Sequence, residues 1–210
     1  MLLEFSVTNF RSFKERATLS LLAAEDEHAH PESIVLAPDG TRLLRTAAVY
    51  GANASGKSNL IKALRFVRDF VHSSFKESQA GDPISVQRFR LSAESTRRPC
   101  EFEIVFYQEG ARYRYGFAVD ERHVQEEWLF RGGGAEECEL FKRSAADDSS
   151  IQVAPAFGMP KNFRTRENAL FLSTAAQHAT EKDLAARLIA WFRELLASPG
   201  LRRLIGTVDT

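Results

Sequence analysis

Short alternating segments open the chain. Leu3, Phe5 and Val7 alternate with Glu4, Ser6 and Thr8, a period of two that predicts a half-buried strand. Ala17 to Leu22 predicts a second strand, separated from the first by Asn9-Phe10-Arg11-Ser12-Phe13. Residues 25–42 are polar, carry Pro31, Pro38 and Gly40, and read as a loop before an apolar run ending Ala47-Ala48-Val49-Tyr50, which predicts another strand. The period then changes. Leu60, Leu64, Val67 and Val71 recur at spacings of four, three and four, the stripe of an amphipathic helix, and Lys62, Arg65, Arg68 and Asp69 fall mostly elsewhere as a solvated face. Ser78 to Pro83 breaks the pattern.

The second half begins as a hairpin. Cys100, Phe102, Ile104 and Phe106 alternate with charged or polar positions, Gln108-Glu109-Gly110 supplies the turn, and Arg112-Tyr113-Arg114-Tyr115 returns, which predicts one wet face. Gly132-Gly133-Gly134 and Ala145 to Ser150 read as flexible connections, and Pro155 to Arg166 as irregular with a basic bias. Asn168 to Ser173 predicts a short buried strand. Thr180, with Glu181 and Asp183 in the first turn, predicts the N-cap of a last helix whose apolar face is Leu184, Leu188, Trp191, Phe192 and Leu195, and Ser198-Pro199-Gly200 ends it. The chain shows no internal repeat.

One motif adds chemistry to this pattern. Gly51-Ala52-Asn53-Ala54-Ser55-Gly56-Lys57-Ser58 fits G-x-x-x-x-G-K-[ST], and it stands between a predicted strand and a predicted helix, the order a phosphate-binding loop requires. Gly51 and Gly56 let the backbone approach phosphates closely, where successive N–H groups form an anion nest. The helix N-terminus favours anionic oxygens, Lys57 reaches the β and γ phosphates, and the Ser58 hydroxyl is the expected Mg²⁺ ligand.

Composition narrows the alternatives. The 210 residues are 44% hydrophobic and 27% charged with zero formal net charge, the balance of a soluble globular protein with no obligatory nucleic-acid or membrane partner. The first residues lack the form of a signal peptide, and no apolar run approaches the roughly 18 residues of a membrane span, so a cytoplasmic location and no membrane partner are expected. Cys100 and Cys138 read as free thiols, and His28 and His30 among Glu25, Asp26, Glu27 and Glu32 read as a solvated loop rather than a metal site.

Leu3-Glu4-Phe5-Ser6-Val7-Thr8-Asn9-Phe10-Arg11-Ser12-Phe13, followed by Val49-Tyr50 and the loop through Asn59-Leu60, resembles the head domain of the SMC and RecF group of ABC-type ATPases. The resemblance is closest to AAA-domain ATP-binding proteins related to the OLD nucleases and found in bacterial anti-phage loci. Phe89-Arg90-Leu91, Tyr113-Arg114-Tyr115-Gly116-Phe117, Glu127-Trp128-Leu129 and Glu167-Asn168-Ala169-Leu170-Phe171-Leu172-Ser173 are similar too. The resemblance implies an α/β P-loop NTPase fold, the N-terminal lobe of an ABC-type ATPase head, with an added antiparallel β-sheet. It implies a nucleotide-binding lobe at 1–95, a hairpin subdomain at 96–145, and a closing strand and the start of a helical insertion at 146–210. ATP and Mg²⁺ are the implied ligands, held by Gly51, Asn53, Ala54, Ser55, Gly56, Lys57, Ser58 and Asn59, with Arg11 and Ser12 beside the nucleotide. Gln177 is the implied residue for Mg²⁺ and the attacking water, ahead of Gln87 and Gln125.

ABC-type hydrolysis also needs an Asp-Glu pair ending a buried strand and a Ser-Gly-rich signature. Phe117-Ala118-Val119-Asp120-Glu121 offers Asp-Glu, but its strand alternates with Arg112 and Arg114 as an exposed hairpin would. Leu91 to Ser95 and Leu172 to Gln177 lack the glycines of the signature. Three functions follow: an ATPase whose two copies sandwich ATP head to head, within a defence or DNA-processing assembly containing a nuclease or effector; a non-hydrolysing ATP-binding module that assembles with a partner; and a nucleic-acid binder using Arg97, Arg98, Lys161, Arg164 and Arg166 with Tyr113 and Tyr115 as stacking platforms for DNA.

Overall fold

The first predicted strand becomes the spine of one large sheet. The computed structural model describes residues 1–25, 31–76, 79–133, 137–146, 151–159 and 164–195. His28, His30, Ser78, Gly134, Lys161 and the helix stop Ser198-Pro199-Gly200 lie outside them. Strand β1 (Leu2–Thr8) is followed by β2 (Ala17–Ser20), by a small hairpin of β3 (Ile34–Leu36) and β4 (Arg42–Leu44), and by helix α1 (Lys57–Ser73). Then come β5 (Cys100–Gln108), β6 (Ala111–Val119), β7 (Val124–Arg131), β8 (Cys138–Ser144) and β9 (Gln152–Val153), and finally helices α2 (Phe171–Gln177) and α3 (Leu184–Glu194). The main sheet has the order β2-β1-β5-β6-β7-β8-β9, and every neighbouring pair is antiparallel. It joins residues of all three segments expected from the sequence.

The hairpin forms as its alternation predicts, with Cys100 facing Val119 and Gln108 facing Ala111 in register. Its even-numbered β5 residues and odd-numbered β6 residues face three helices. Phe66 of α1 packs on Phe10, Phe102 and Phe117 at ring separations of 5.9, 5.0 and 6.4 Å, and Phe70 on Phe117 at 5.6 Å. At the other end of the strands Trp191 of α3 stacks on Phe106 at 3.9 Å, and Phe192 meets Tyr115 edge-on at 5.4 Å. Apolar aromatic pairs of this kind prefer tilted or offset contact.

The opposite face is wet in part only. Leu3, Val105 and Tyr107 are buried there beneath Ala37 and Leu43, because residues 25–42, expected as a loop, contain β3 and the start of the hairpin that covers them. The rest of that face carries ion pairs: Glu103 meets Arg16 at 2.6 Å and Arg114 at 3.0 Å, and Arg114 also meets Glu137 and the Phe130 ring. Gly116 occupies a strand interior because the Trp128 indole lies over it; a Cβ there would stand 2.4 Å from Trp128 Cζ2.

Three further expectations are corrected. Ala47 to Tyr50 forms no strand, and Tyr50 is 90% exposed. Among the described residues no strand lies beside this run, so its β-propensity finds no ladder to join. Asn168 to Ser173 is not a strand either: Phe171 opens α2. Buried Glu127 on β7 dictates this, since its carboxylate accepts the N–H groups of Phe171 and Leu172, the unpaired donors of a helix start. Thr180 does not cap α3, which begins at Leu184; its N–H and hydroxyl instead donate to Asp183 in a turn ahead of the helix.

Glu127 is fully buried and also accepts the Tyr115 hydroxyl at 2.9 Å, with Arg143 of β8 at 3.8 Å. Arg143 donates onward to the carbonyls of Ala169 and Arg166. Glu127→Ala removes the acceptor for three donors and leaves the buried Arg143 guanidinium without its counter-ion, a loss of about 3–5 kcal/mol. Urea denaturation of the two proteins measures it; a difference below about 1 kcal/mol, the size of an exposed pair, contradicts the role given to this carboxylate.

Candidate functional site

Backbone geometry shapes the loop at Gly51–Ser58 before any ligand enters. Ala54 and Gly56 both take left-handed conformations, at φ 64° and 95°, which turn successive N–H groups toward one side. Gly51 is crowded as well, since a Cβ would approach Ser55 Oγ to 2.7 Å. Helix α1 starts directly after Gly56, and no side chain caps its first N–H groups. Asn59 N–H donates to the Gly56 carbonyl at 2.8 Å, and the N–H groups of Lys57 and Ser58, at the positive end of a 17-residue helix, are left for an anion.

Lys57 folds back across the loop. Its Nζ donates to the Gly51 and Ala52 carbonyls at 2.8 and 2.7 Å. Both bonds are exposed and neutral at the acceptor, so phosphate oxygens replace them with charge-assisted ones. Ser58 stands half-buried in the first turn, where no acidic side chain accompanies it. Asn53 is exposed at the tip.

The segment after β1 closes against this loop. Asn9 and Arg11 hold φ values of 54° and 51°, and Phe10 and Phe13 exchange backbone hydrogen bonds at 2.9 and 2.8 Å, a tight turn. Asn9 anchors it from below by donating to the Ser95 and Arg98 carbonyls at 2.8 Å each, while its own carbonyl accepts the buried Cys100 thiol. Burial pushes that thiol up to about 12, so it remains a donor. The result is that Ser12 Oγ accepts from Asn59 Nδ2 at 2.9 Å and would lie 2.5 Å from a Cβ placed on Gly56. The structure thus brings Arg11, Ser12, Gly51, Asn53, Ala54, Ser55, Gly56, Lys57, Ser58 and Asn59 together.

Gln177 is not among them. It ends α2, next to His178, whose ring meets Phe75 just beyond the C-terminus of α1, and Ser173 of α2 donates to the Val71 carbonyl. A helix of 17 residues is about 25 Å long, so Gln177 and Ser58 stand near opposite ends of it. Gln87 is the nearer glutamine: its carbonyl accepts the Arg11 N–H at 2.8 Å. Gln125 donates to Asp120 instead.

Asp120 serves its own turn, and the Glu121 carboxylate faces Arg88 at 3.8 Å. Burial raises the Asp120 pKa, but the Arg122 and His123 N–H groups and the Gln125 amide outweigh it and hold the carboxyl below its usual range. Tyr113 and Tyr115 are buried under α3, which corrects their reading as stacking platforms. Among the described residues no three His, Cys, Asp or Glu side chains converge as a metal site, and no helix is long and apolar enough to cross a membrane. Sequence reasoning passed over Arg88 and gave Arg90 no role; both gather beside Arg11, and the only sequence signal was their place in Gln87-Arg88-Phe89-Arg90.

The family described as "AAA domain, putative AbiEii toxin, Type IV TA system" matches residues 46–198, which include the loop, α1 and β5 to β9 and leave β1, β2 and the Arg11–Ser12 turn outside. The chain belongs to this family. Its P-loop NTPase fold and general nucleotide-binding, ATPase-type function follow, and they agree with the loop geometry. No curated protein matches the chain.

The closeness of Gly56 to Ser12 gives a test. Gly56→Ala meets both a left-handed backbone and the Ser12 hydroxyl, and lowers nucleotide affinity about tenfold or more, while Gly56→Ala with Ser12→Gly recovers only part because the backbone cost of about 1 kcal/mol remains. Titration with a fluorescent ATP analogue reads both; full recovery in the double variant assigns the whole effect to Ser12.

Proposed function

We propose that this chain is the ATP-binding lobe of an ABC/SMC-type ATPase head, working with Mg²⁺ in a bacterial defence or DNA-processing assembly. The observation that carries the nucleotide reading is Lys57 lying across a left-handed loop at an uncapped helix start. On binding, the Lys57 ammonium leaves the Gly51 and Ala52 carbonyls for phosphate oxygens, the N–H groups of the first helical turn take the remaining ones, and Arg11 and Ser12 close the side.

For Mg²⁺ the donor set is sparse and suitable. Ser58 Oγ is the hydroxyl oxygen of a first turn that carries no carboxylate, and Mg²⁺ keeps several waters while binding phosphates. When bound it neutralises charge between the β and γ phosphates. Gln87 rather than Gln177 has the position that supports a contact near the nucleotide. The toxin and TA-system wording of the family description supports a defence setting. An effector partner and a head-to-head ATP sandwich of two copies are the further parts of this proposal and rest on the family resemblance alone.

A second reading, binding without turnover, is favoured by one observation. Asp120 is occupied by its own turn, and Glu121 lies against Arg88 rather than the loop. In this reading ATP shifts an assembly equilibrium.

The deciding experiment incubates excess protein with γ-labelled ATP and Mg²⁺ and measures bound nucleotide and released phosphate together. Lys57→Ala loses charge-assisted contacts of about 2–3 kcal/mol, roughly 30- to 150-fold in affinity, with an unchanged melting curve. Retained affinity refutes the site. Lys57-dependent binding without phosphate release selects the binding module; release that needs Lys57 selects the ATPase.

A further inference from the structure

Next to the loop lies a cavity of about 330 Å³ lined by Arg11, Asn59, Gln87, Arg88, Arg90 and Leu91. Three guanidinium groups share it with little opposing charge. Among the described residues Arg11 and Arg90 form no ion pair, and the carboxylate nearest Arg88, that of Glu121, is 3.8 Å away and mostly exposed. The Nε atoms of Arg11 and Arg88 are buried without an acceptor.

The fold holds these like charges together rather than letting them part. Arg11 N–H is bonded to the Gln87 carbonyl, Phe10 pairs with Arg88 in an isolated bridge, and Arg88 also donates to the Thr96 carbonyl. Guanidinium groups gathered in one cavity match tetrahedral anions, and they repel one another until such an anion arrives, although part of the Arg88 fork is already engaged by Thr96 and Glu121. No residue from Gly51 to Ser58 lines the cavity, while Arg11 and Asn59 border both it and the loop, so an anion held there lies beside the triphosphate rather than in the loop itself. Leu91, 90% exposed, forms an apolar rim. The positive charge continues outward through Arg97 and Arg98, and Arg98 shares Glu94 with Lys14 only at 3.9 Å.

We propose that Arg11, Arg88 and Arg90 form a second phosphate-binding site beside the phosphate loop. The inference rests on the nucleotide reading only in giving the loop itself to the triphosphate. Its ligand is a phosphate group, free as inorganic phosphate or pyrophosphate, or carried in the phosphodiester backbone of a nucleic acid. The two anions would be close neighbours, with Asn59 touching the cavity and Ser12 together.

The test uses the Lys57→Ala chain, in which the loop is silenced, and two probes: inorganic pyrophosphate by calorimetry and a short fluorescent single-stranded oligonucleotide by anisotropy. Lys57→Ala retains at least one probe, and adding Arg90→Gln weakens it about tenfold, with Arg90→Lys recovering part. Arg90 is exposed, so a melting curve unchanged by Arg90→Gln keeps the result interpretable; Arg88→Gln is the confirming variant. Pyrophosphate alone identifies a free phosphate. Oligonucleotide binding with a log–log salt slope that falls by about 0.7 on Arg90→Gln identifies a phosphodiester. Loss of both probes in Lys57→Ala, or equal affinity with and without Arg90, overturns the proposal. ATP binding by the unsubstituted chain is scored separately, so a failure of the loop reading shows there and not here.

Discussion

The position of the phosphate loop depends on how α1 is fixed across an antiparallel sheet. Phe66 is the pivot, because its ring touches Phe102 and Phe117 of the sheet and also Phe10, from the turn that carries Arg11 and Ser12. Phe66 is half-buried, while Phe10, Phe102 and Phe117 are buried and contribute about 1.5–3 kcal/mol each. The same cluster therefore sets the helix start and the turn against each other, and the Ser12 to Gly56 approach follows from core packing rather than from local loop chemistry. A shift of α1 by one residue would carry Gly56 away from Ser12 and replace it with a side chain.

A polar anchor holds the far end. Glu127 joins β7 to the start of α2, and Ser173 and Ser74 tie α2 to the last turn of α1. Burial raises the Glu127 pKa above its ordinary value, against the opposing pull of Arg143 and three hydrogen-bond donors. Because the folded value lies above the unfolded one, this group's contribution to stability is fully present at low pH and is lost as pH rises through the raised value. Arg143 is pushed down by burial in turn, with Glu127 opposing the shift. The pair specifies where α2 begins more than it adds net stability.

Period and motif made much of this legible. The alternation of β1, β5 and β6 and the stripe of α1 were readable because one face of each meets a continuous core. The apolar run Asn168 to Ser173 misled because short apolar runs do not separate strand from helix, and the deciding contact came from Glu127, distant in sequence. Thr180 misled for a local reason: Asp183 draws its N–H and hydroxyl into a turn, and the helix waits for Leu184. In the site, the motif residues were legible from spacing, and Arg11 and Ser12 through a family resemblance. The gathering of Arg88 and Arg90 beside them was not, since it requires knowing that residues 87–89 run alongside the turn after β1.

The two sides of the loop are supported unequally, and this bears on affinity. Downstream, α1 and Ser12 hold Gly56 and Asn59 in place. Upstream, the backbone of residues 46–50 makes no hydrogen bond among the described residues, with Val49 42% and Tyr50 90% exposed. A binding loop gains affinity when its bound shape is already fixed, because ordering it on binding costs conformational entropy. Ordering residues 46–50 would therefore also strengthen phosphate binding, and by thermodynamic reciprocity bound nucleotide would favour that ordering by the same factor. Coupling of this kind needs no movement of the sheet. It needs only that the exposed run ahead of Gly51 and the anion nest behind it share one stretch of backbone, which residues 46–58 do.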